Sequence, residues 1–424
     1  MLIPAINEKR DAKAFFVYLT CIYILTWYLQ LGNRIGLLSA IRFEFLLGFF
    51  LSICALLEVS REQESSPMRG PVIFFLVIAG LYTLISVDMA YSWQIYYNRL
   101  IKFSMLALFL AAFVRTPWAL KMVVGAFLLA MFKLGLEGFL GWWTGSLVWQ
   151  NQGIMRLHGS VEIYGHPNSF SGMAVGCLPF IYYLYQVVAK RWKLALLILL
   201  FFCTIIIVYT GSRTGYVATL GLGLLFFFKS EGRERKRYVL LALIITIGAA
   251  LYMPKDYVGR FDSIFTGKEK EGASSETRMQ IIRDAFAVYI HNPLGIGVGA
   301  FPLVRAKMFG RSQDTHNLYL ELLTNMGILG VVAFFILVRR ILSTNAEIQR
   351  RLSANDGEEG KYVLAISKAV VAFIYARLFL GLFGMDTYEI YWWFATGMTI
   401  AMWSISHKYF NNSSFQDGET PIAR

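Results

Sequence analysis

Apolar runs of about 17–25 residues recur along the whole chain, separated by short polar segments, and each is long enough to cross a bilayer core as a helix. The pattern predicts twelve spans, at roughly 14–31, 37–57, 71–87, 95–114, 118–142, 168–189, 194–210, 214–229, 238–253, 317–338, 362–384 and 388–406. Asn98, Arg99 and Lys102 interrupt the fourth, and the eighth is short and rich in glycine. The first run is too long for a signal-peptide core and reads as a retained signal anchor. Two connections are long, at about 143–167 and 254–316. The second contains a helix-compatible stretch, Met279 to Val288, that stops near Asn292-Pro293, so this loop is expected to be partly folded. The pattern therefore predicts an all-α polytopic membrane protein with about 12 transmembrane helices and one large, partly helical loop.

Composition narrows the class further. With 57% hydrophobic and only 16% charged residues, the chain has too few charges to cover a soluble surface. A soluble enzyme, a disordered chain, a coiled coil and a disulfide-stapled secreted domain are excluded. Cys21, Cys54, Cys177 and Cys203 all lie in apolar runs without metal spacing and read as small core residues. The net charge of +13 matters through its placement and does not indicate nucleic acid. With the N-terminus in the cytoplasm, the inside segments carry 22 Lys and Arg, among them Lys190, Arg191, Lys193 and the Arg233–Arg237 cluster. The outside connections other than 254–316 carry only Arg34, Arg156 and Arg213. Both termini are thus expected to be cytoplasmic. The 254–316 loop, with nine cations, runs against the usual bias, which suggests an anionic ligand at the outer face. No internal repeat, nucleotide-binding loop or HExxH motif is present.

Chemistry-bearing residues gather at segment ends on the outer side. Gly211-Ser212-Arg213-Thr214-Gly215 joins two apolar runs there. It reads either as a turn whose arginine snorkels to lipid head groups, or as an arginine fixed at the mouth of a cavity for bidentate phosphate recognition. His316-Asn317 closes the long loop and opens the tenth span. That histidine is either an ordinary interfacial residue or a general base, since imidazole accepts a proton near neutral pH. Downstream, Gly327-x-x-Gly330 would let another helix approach and fix its position. Arg278 and Arg283 do not share one face of the loop helix, and Arg278, which opens it, is favoured over Arg283 as the one aimed at a site. The bland alternative is a solvated basic face. Arg156 and His166 lie in the shorter outer loop, while Pro167 and Asn168 read as helix-start chemistry. Arg42, Arg99, Lys102, Lys133, Lys368 and Arg377 lie within or beside spans, so some must face the bundle interior, with Glu44, Glu137 and Asp386 available as partners.

Three segments in this order resemble the O-antigen ligase and polymerase superfamily of bacterial envelope glycan assembly. They are the Gly211–Gly215 turn with its Gly/Leu-rich span, Arg278 with its helix leading to Asn292-Pro293-Leu294-Gly295-Ile296-Gly297-Val298-Gly299, and His316-Asn317 followed by Gly327-x-x-Gly330. The motifs cover about 211–330, and the span plan extends a weaker resemblance over most of the chain. The resemblance implies a multi-pass glycosyltransferase of the bacterial inner membrane, with its active site facing the periplasm. Its donor would be an undecaprenyl-diphosphate-linked glycan, and its acceptor lipid A-core for a ligase or a growing glycan for a polymerase. Arg213 and Arg278 would bind the diphosphate and His316 would be the base. Arg283, Asn317, Arg156 and His166 are the remaining candidates for substrate contact.

The residues are chemically suited to that role. A lipid diphosphate leaves readily, two arginines would stabilise its developing charge, and His316 would take the acceptor proton. Direct displacement predicts inversion. No carboxylate cluster suited to a metal is visible at the outer face, so neither metal nor cofactor is expected. The chain is expected to divide into an N-terminal bundle (1–210), a ligase-like core (211–338, including the 254–316 loop) and C-terminal helices with a cytoplasmic tail (339–424). The rival from another class is a lipid-linked sugar transporter or flippase.

Overall fold

The computed structural model describes residues 4–60, 66–151, 153–229, 232, 257–259, 274–355, 357–384 and 387–410. The predicted span 238–253, Asp386, the tail after 410 and much of the 254–316 loop lie outside these residues.

Helices dominate. The first half contains α1 (Pro4–Tyr28), the short α2 (Leu31–Arg34) and α3 (Gly36–Ala40), α4 (Phe43–Ser60), α5 (Arg69–Leu84), α6 (Met89–Ile95), α7 (Lys102–Phe113) and α8 (Pro117–Thr144). The second half contains α9 (Pro167–Val187), α10 (Lys190–Tyr209), α11 (Arg213–Lys229), α12 (Ser274–His291), α13 (Phe301–Phe309), α14 (Leu318–Leu352), α15 (Glu358–Leu380) and α16 (Ile390–Phe410). Every predicted span except 238–253 overlies one of these helices. Their starts follow from local chemistry. Thr116 Oγ1 accepts from Ala119 N at 3.2 Å ahead of Pro117, and His166 Nδ1 accepts from Asn168 N at 3.1 Å ahead of Pro167.

Among the described residues, seven helical stretches are long and apolar enough to cross a membrane: Phe43–Ser60, Met89–Phe113, Pro117–Thr144, Pro167–Val187, Lys190–Tyr209, Leu318–Leu352 and Glu358–Leu380. Ala14–Tyr28, Arg69–Leu84 and Arg213–Phe228 are shorter apolar helices. α9 is central, packed by α10, α11 and α15, and 72% of its apolar window is buried against 17% for α4. α15 also packs on α14, α5 lies against α14, and α7 lies against α16. Gly397 of α16 meets Ala107 and Leu110 of α7 at close range, and Phe109, Phe180 and Phe394 fill the interior completely.

Three features depart from the sequence reading. The fold is not purely helical: within the 143–167 connection, Val148–Asn151 (β1) pairs antiparallel with Ile154–Leu157 (β2), with Val148 opposite Leu157. The polar interruption of the fourth span becomes a π-helical turn, Tyr96–Ile101, between α6 and α7. Its Arg99 reaches Glu389 at 3.3 Å, so the charge is paired at the end of the bundle.

The third departure concerns Gly327, which accommodates a loop where a helix was expected. Gly327 has φ 57 and ψ −164, which breaks α14 into two parts. A β-carbon there would lie 2.9 Å from the Leu294 carbonyl oxygen. Gly295, at φ 96, presses in the same way on the Asn325 carbonyl. Opening the helix exposes two of its carbonyls, and the loop uses them: Ile296 N donates to Thr324 O at 3.1 Å and Gly297 N to Asn325 O at 2.9 Å. Gly330 faces the side chain of Met326, within its own helix.

Candidate active site

The start of α14 is fastened to the turn between α15 and α16. Asn317 caps the helix, its Oδ1 accepting from the backbone N–H of Tyr319 and Leu320, each at 3.0 Å. Its Nδ2 donates to Leu382 O at 2.9 Å, and Leu318 N donates to Gly381 O at 2.7 Å. Tyr319 OH adds a bond to Leu378 O at 2.8 Å. With the residues on its C-terminal side fixed in this way, His316 takes a left-handed backbone conformation, φ 47. For a residue with a β-carbon that costs on the order of 1–2 kcal/mol. The anchored cap holds it there.

The surroundings of His316 tune its ring. Gln313 Nε2 lies 3.2 Å from His316 Nε2, a contact in which the amide donates and the ring lone pair accepts. Burial lowers the histidine's pKa below its ordinary value, and the charges of Arg278 and Arg305 add to that against the opposing pull of Asp314. The result is a neutral imidazole at pH 7. Asp314 itself is raised by burial, with His316 and Arg99 pulling it back. Arg278 sits with its guanidinium 5.9 Å from the Phe383 ring centroid, on the same α15–α16 turn that anchors Asn317. Arg283 is exposed, whereas Ile281, Ala285 and Val288 carry the buried face of α12.

The second wall comes from the hairpin and the first turn of α9. Arg156 on β2 is only 1% exposed, and its guanidinium is engaged by protein oxygens. Nε donates to Thr210 O at 2.7 Å, Nη1 to Asn151 Oδ1 at 2.9 Å and Nη2 to Asn168 Oδ1 at 2.8 Å. It therefore ties the hairpin, the end of α10 and the start of α9 together just before the Gly211 turn. Arg156→Met would leave those acceptors without a donor, at about 1–3 kcal/mol each. Thermal unfolding in detergent should show a clearly lower Tm, partly restored in Arg156→Lys. An unchanged Tm would mean that Arg156 is not a structural clamp.

His166 keeps an open edge, yet protein packed around its ring costs the cation solvation. Together with the positive charges of Arg156 and Arg278, and that of His316 once it is protonated, this lowers its pKa to about 4. Because Nδ1 accepts from Asn168 N, the proton of this neutral ring sits on Nε2, making it an uncharged donor.

His166 thus lies within electrostatic reach of Arg156, His316 and Arg278, and His316 within that of Arg278. Arg213 opens α11, where the Ser212 hydroxyl accepts from Gly215 N at 3.2 Å, and α11 packs on both α9 and α15. Asn317 acts as the cap, and Arg283 is exposed. The sequence reading missed Asp314, Gln313 and Phe383. Asp314 and Gln313 were near enough in sequence to be noticed, whereas nothing local ties Phe383 to Arg278.

Residues 198–335 match the family model described as O-antigen ligase. The match includes Arg213, Arg278, His316 and Gly327. No curated protein matches the chain.

Proposed function

We propose, for a chain whose residues 198–335 belong to the O-antigen ligase superfamily, that it is a membrane glycosyltransferase moving a glycan from undecaprenyl diphosphate to an acceptor hydroxyl at the periplasmic face of the inner membrane. The acceptor in this reading is lipid A-core. The observation that carries the proposal is His316: a neutral imidazole, held at φ 47 by an anchored cap, beside Arg278.

In the reaction, the acceptor oxygen attacks the anomeric carbon as the bond from that carbon to the phosphate oxygen breaks. The electron pair goes to the diphosphate, where Arg278 and Arg213 neutralise it. The acceptor proton goes to His316 Nε2 once Gln313 yields the lone pair. His166, as a neutral Nε2 donor, is suited to a sugar hydroxyl or a phosphate oxygen, and Arg156 and Asn317 hold the two walls in place. Attack opposite the leaving group inverts the anomeric configuration. The core of this activity lies in 211–338, with both termini of the chain cytoplasmic.

The purified protein in detergent, given lipid-linked glycan and lipid A-core, should release product with inverted linkage, in EDTA as in Mg²⁺. Among the described residues, His, Cys, Asp and Glu nowhere gather in groups of three that could hold a metal ion. A flippase would form no bond in detergent. Product that is a longer lipid-linked chain would replace the ligase reading with a polymerase.

A further inference from the structure

One buried cation in the bundle has no assigned task. Arg377, near the end of α15, is 8% exposed. Its guanidinium lies over the Tyr391 ring, 3.9 Å from the centroid, with Phe373 at 5.1 Å. The opposite side is the Gly172 and Gly176 face of α9: a β-carbon on Gly176 would lie 2.8 Å from Nη2. No carboxylate among the described residues pairs with it, and its enclosed Nε has no hydrogen-bond partner. Arginine stays charged at any accessible pH, so an unmatched guanidinium inside a membrane bundle is costly unless an anion completes it. The residue also lies one helical turn, about 6 Å, before Gly381, whose carbonyl anchors Leu318. Its backbone therefore lies one turn inside the bond that fixes the residue two after His316.

We propose that Arg377 is the inner phosphate site of the donor pocket, taking a phosphate oxygen of the polyprenyl diphosphate while Arg278 and Arg213 hold the group from the outer side. This rests on the glycosyltransferase reading above. The aromatic faces keep the guanidinium planar and oriented, and the glycines of α9 make room for it. The stacked fork suits one diphosphate better than a mobile lipid head group, because bidentate contact needs a fixed plane.

The test uses the full-length protein in detergent, with undecaprenyl diphosphate, undecaprenyl phosphate and phosphatidylglycerol as competitors of transfer. Wild type should prefer the diphosphate over both. Arg377→Gln should raise donor KM and weaken diphosphate inhibition by about 10- to 100-fold, the worth of a charge-assisted bond, while acceptor KM stays put. Gly176→Ala, which retains the charge but pushes a methyl group into Nη2, should give the same selective loss and decides the matter if Arg377→Gln does not accumulate. Unchanged diphosphate selectivity in whichever of these variants folds would overturn the proposal, as would phosphatidylglycerol competing as well as the diphosphate. A wild-type protein that forms no product and binds no lipid diphosphate would instead overturn the glycosyltransferase reading itself.

Discussion

His316→Ala should abolish glycan transfer, with kcat down by about 10²–10⁴, while the protein inserts and unfolds as wild type does. The size follows from the loss of the group that accepts the acceptor proton in this mechanism. The fold should tolerate the change because the cap at α14 is made by Asn317 and the backbone of Gly381 and Leu382, none of which uses the imidazole. Removing the β-branch-free but bulky ring from a φ of 47 leaves the strain largely unchanged, since alanine still carries a β-carbon. The pH profile supplies a second readout. A base whose pKa is depressed is deprotonated down to a lower pH, so the acid limb of kcat/KM should fall below pH 6.5, the ordinary value for histidine. Asp314→Asn removes a neighbour that raises the histidine's pKa and should move that limb further toward acid. Near-normal turnover in His316→Ala would remove the residue from the mechanism.

Gly327→Ala should be at least as damaging, but to folding and not to chemistry. A φ of 57 with ψ near −164 belongs to a region open essentially to glycine alone, worth about 1–3 kcal/mol for any other residue. A β-carbon would also press on the Leu294 carbonyl at 2.9 Å, which is backbone and cannot rotate away. The two paired bonds from Ile296 and Gly297 to the broken turn would be lost with it, at about 1 kcal/mol each. We expect poor accumulation and a strongly lowered Tm. Gly125→Ala in α8, where a β-carbon would meet nothing within 4 Å, should be much milder. Equal stability of the Gly327→Ala and wild-type proteins would show that the kink is not required.

The helices were legible because a bilayer imposes one length on all of them, and a run such as Pro117–Thr144 satisfies it without reference to its neighbours. Pro167 was legible as a helix start for a similar reason, since capping is local, although the cap falls on His166 and the Asn168 side chain accepts from Arg156 instead. The β-hairpin was not, because Val148–Asn151 alternates too briefly to separate a strand from a loop, and Arg156 holds it from three directions. The pairing of 293–297 with the broken turn at 324–327 was also out of reach. Both segments announce flexibility through glycine, but neither names the other. Candidate residues on α9, α12 and α14 could be picked out individually. Their convergence depends on the 381–383 turn, whose contribution is mostly backbone carbonyls and therefore independent of residue type.

The π-helical turn at Tyr96–Ile101 has an evolutionary and engineering consequence. A π turn holds one residue more than the α-helix around it, which is the mark left by a single-residue insertion. Each inserted residue rotates everything beyond it by about 100° relative to an unbroken helix. The turn therefore uncouples two orientations that an ordinary helix would lock together: Arg99 facing Glu389, and the Leu106, Phe109 and Leu110 face entering the core. Loss of one residue here would leave a more regular helix able to satisfy only one of these. Length variation in this short stretch, more than substitution within it, is what the architecture cannot absorb.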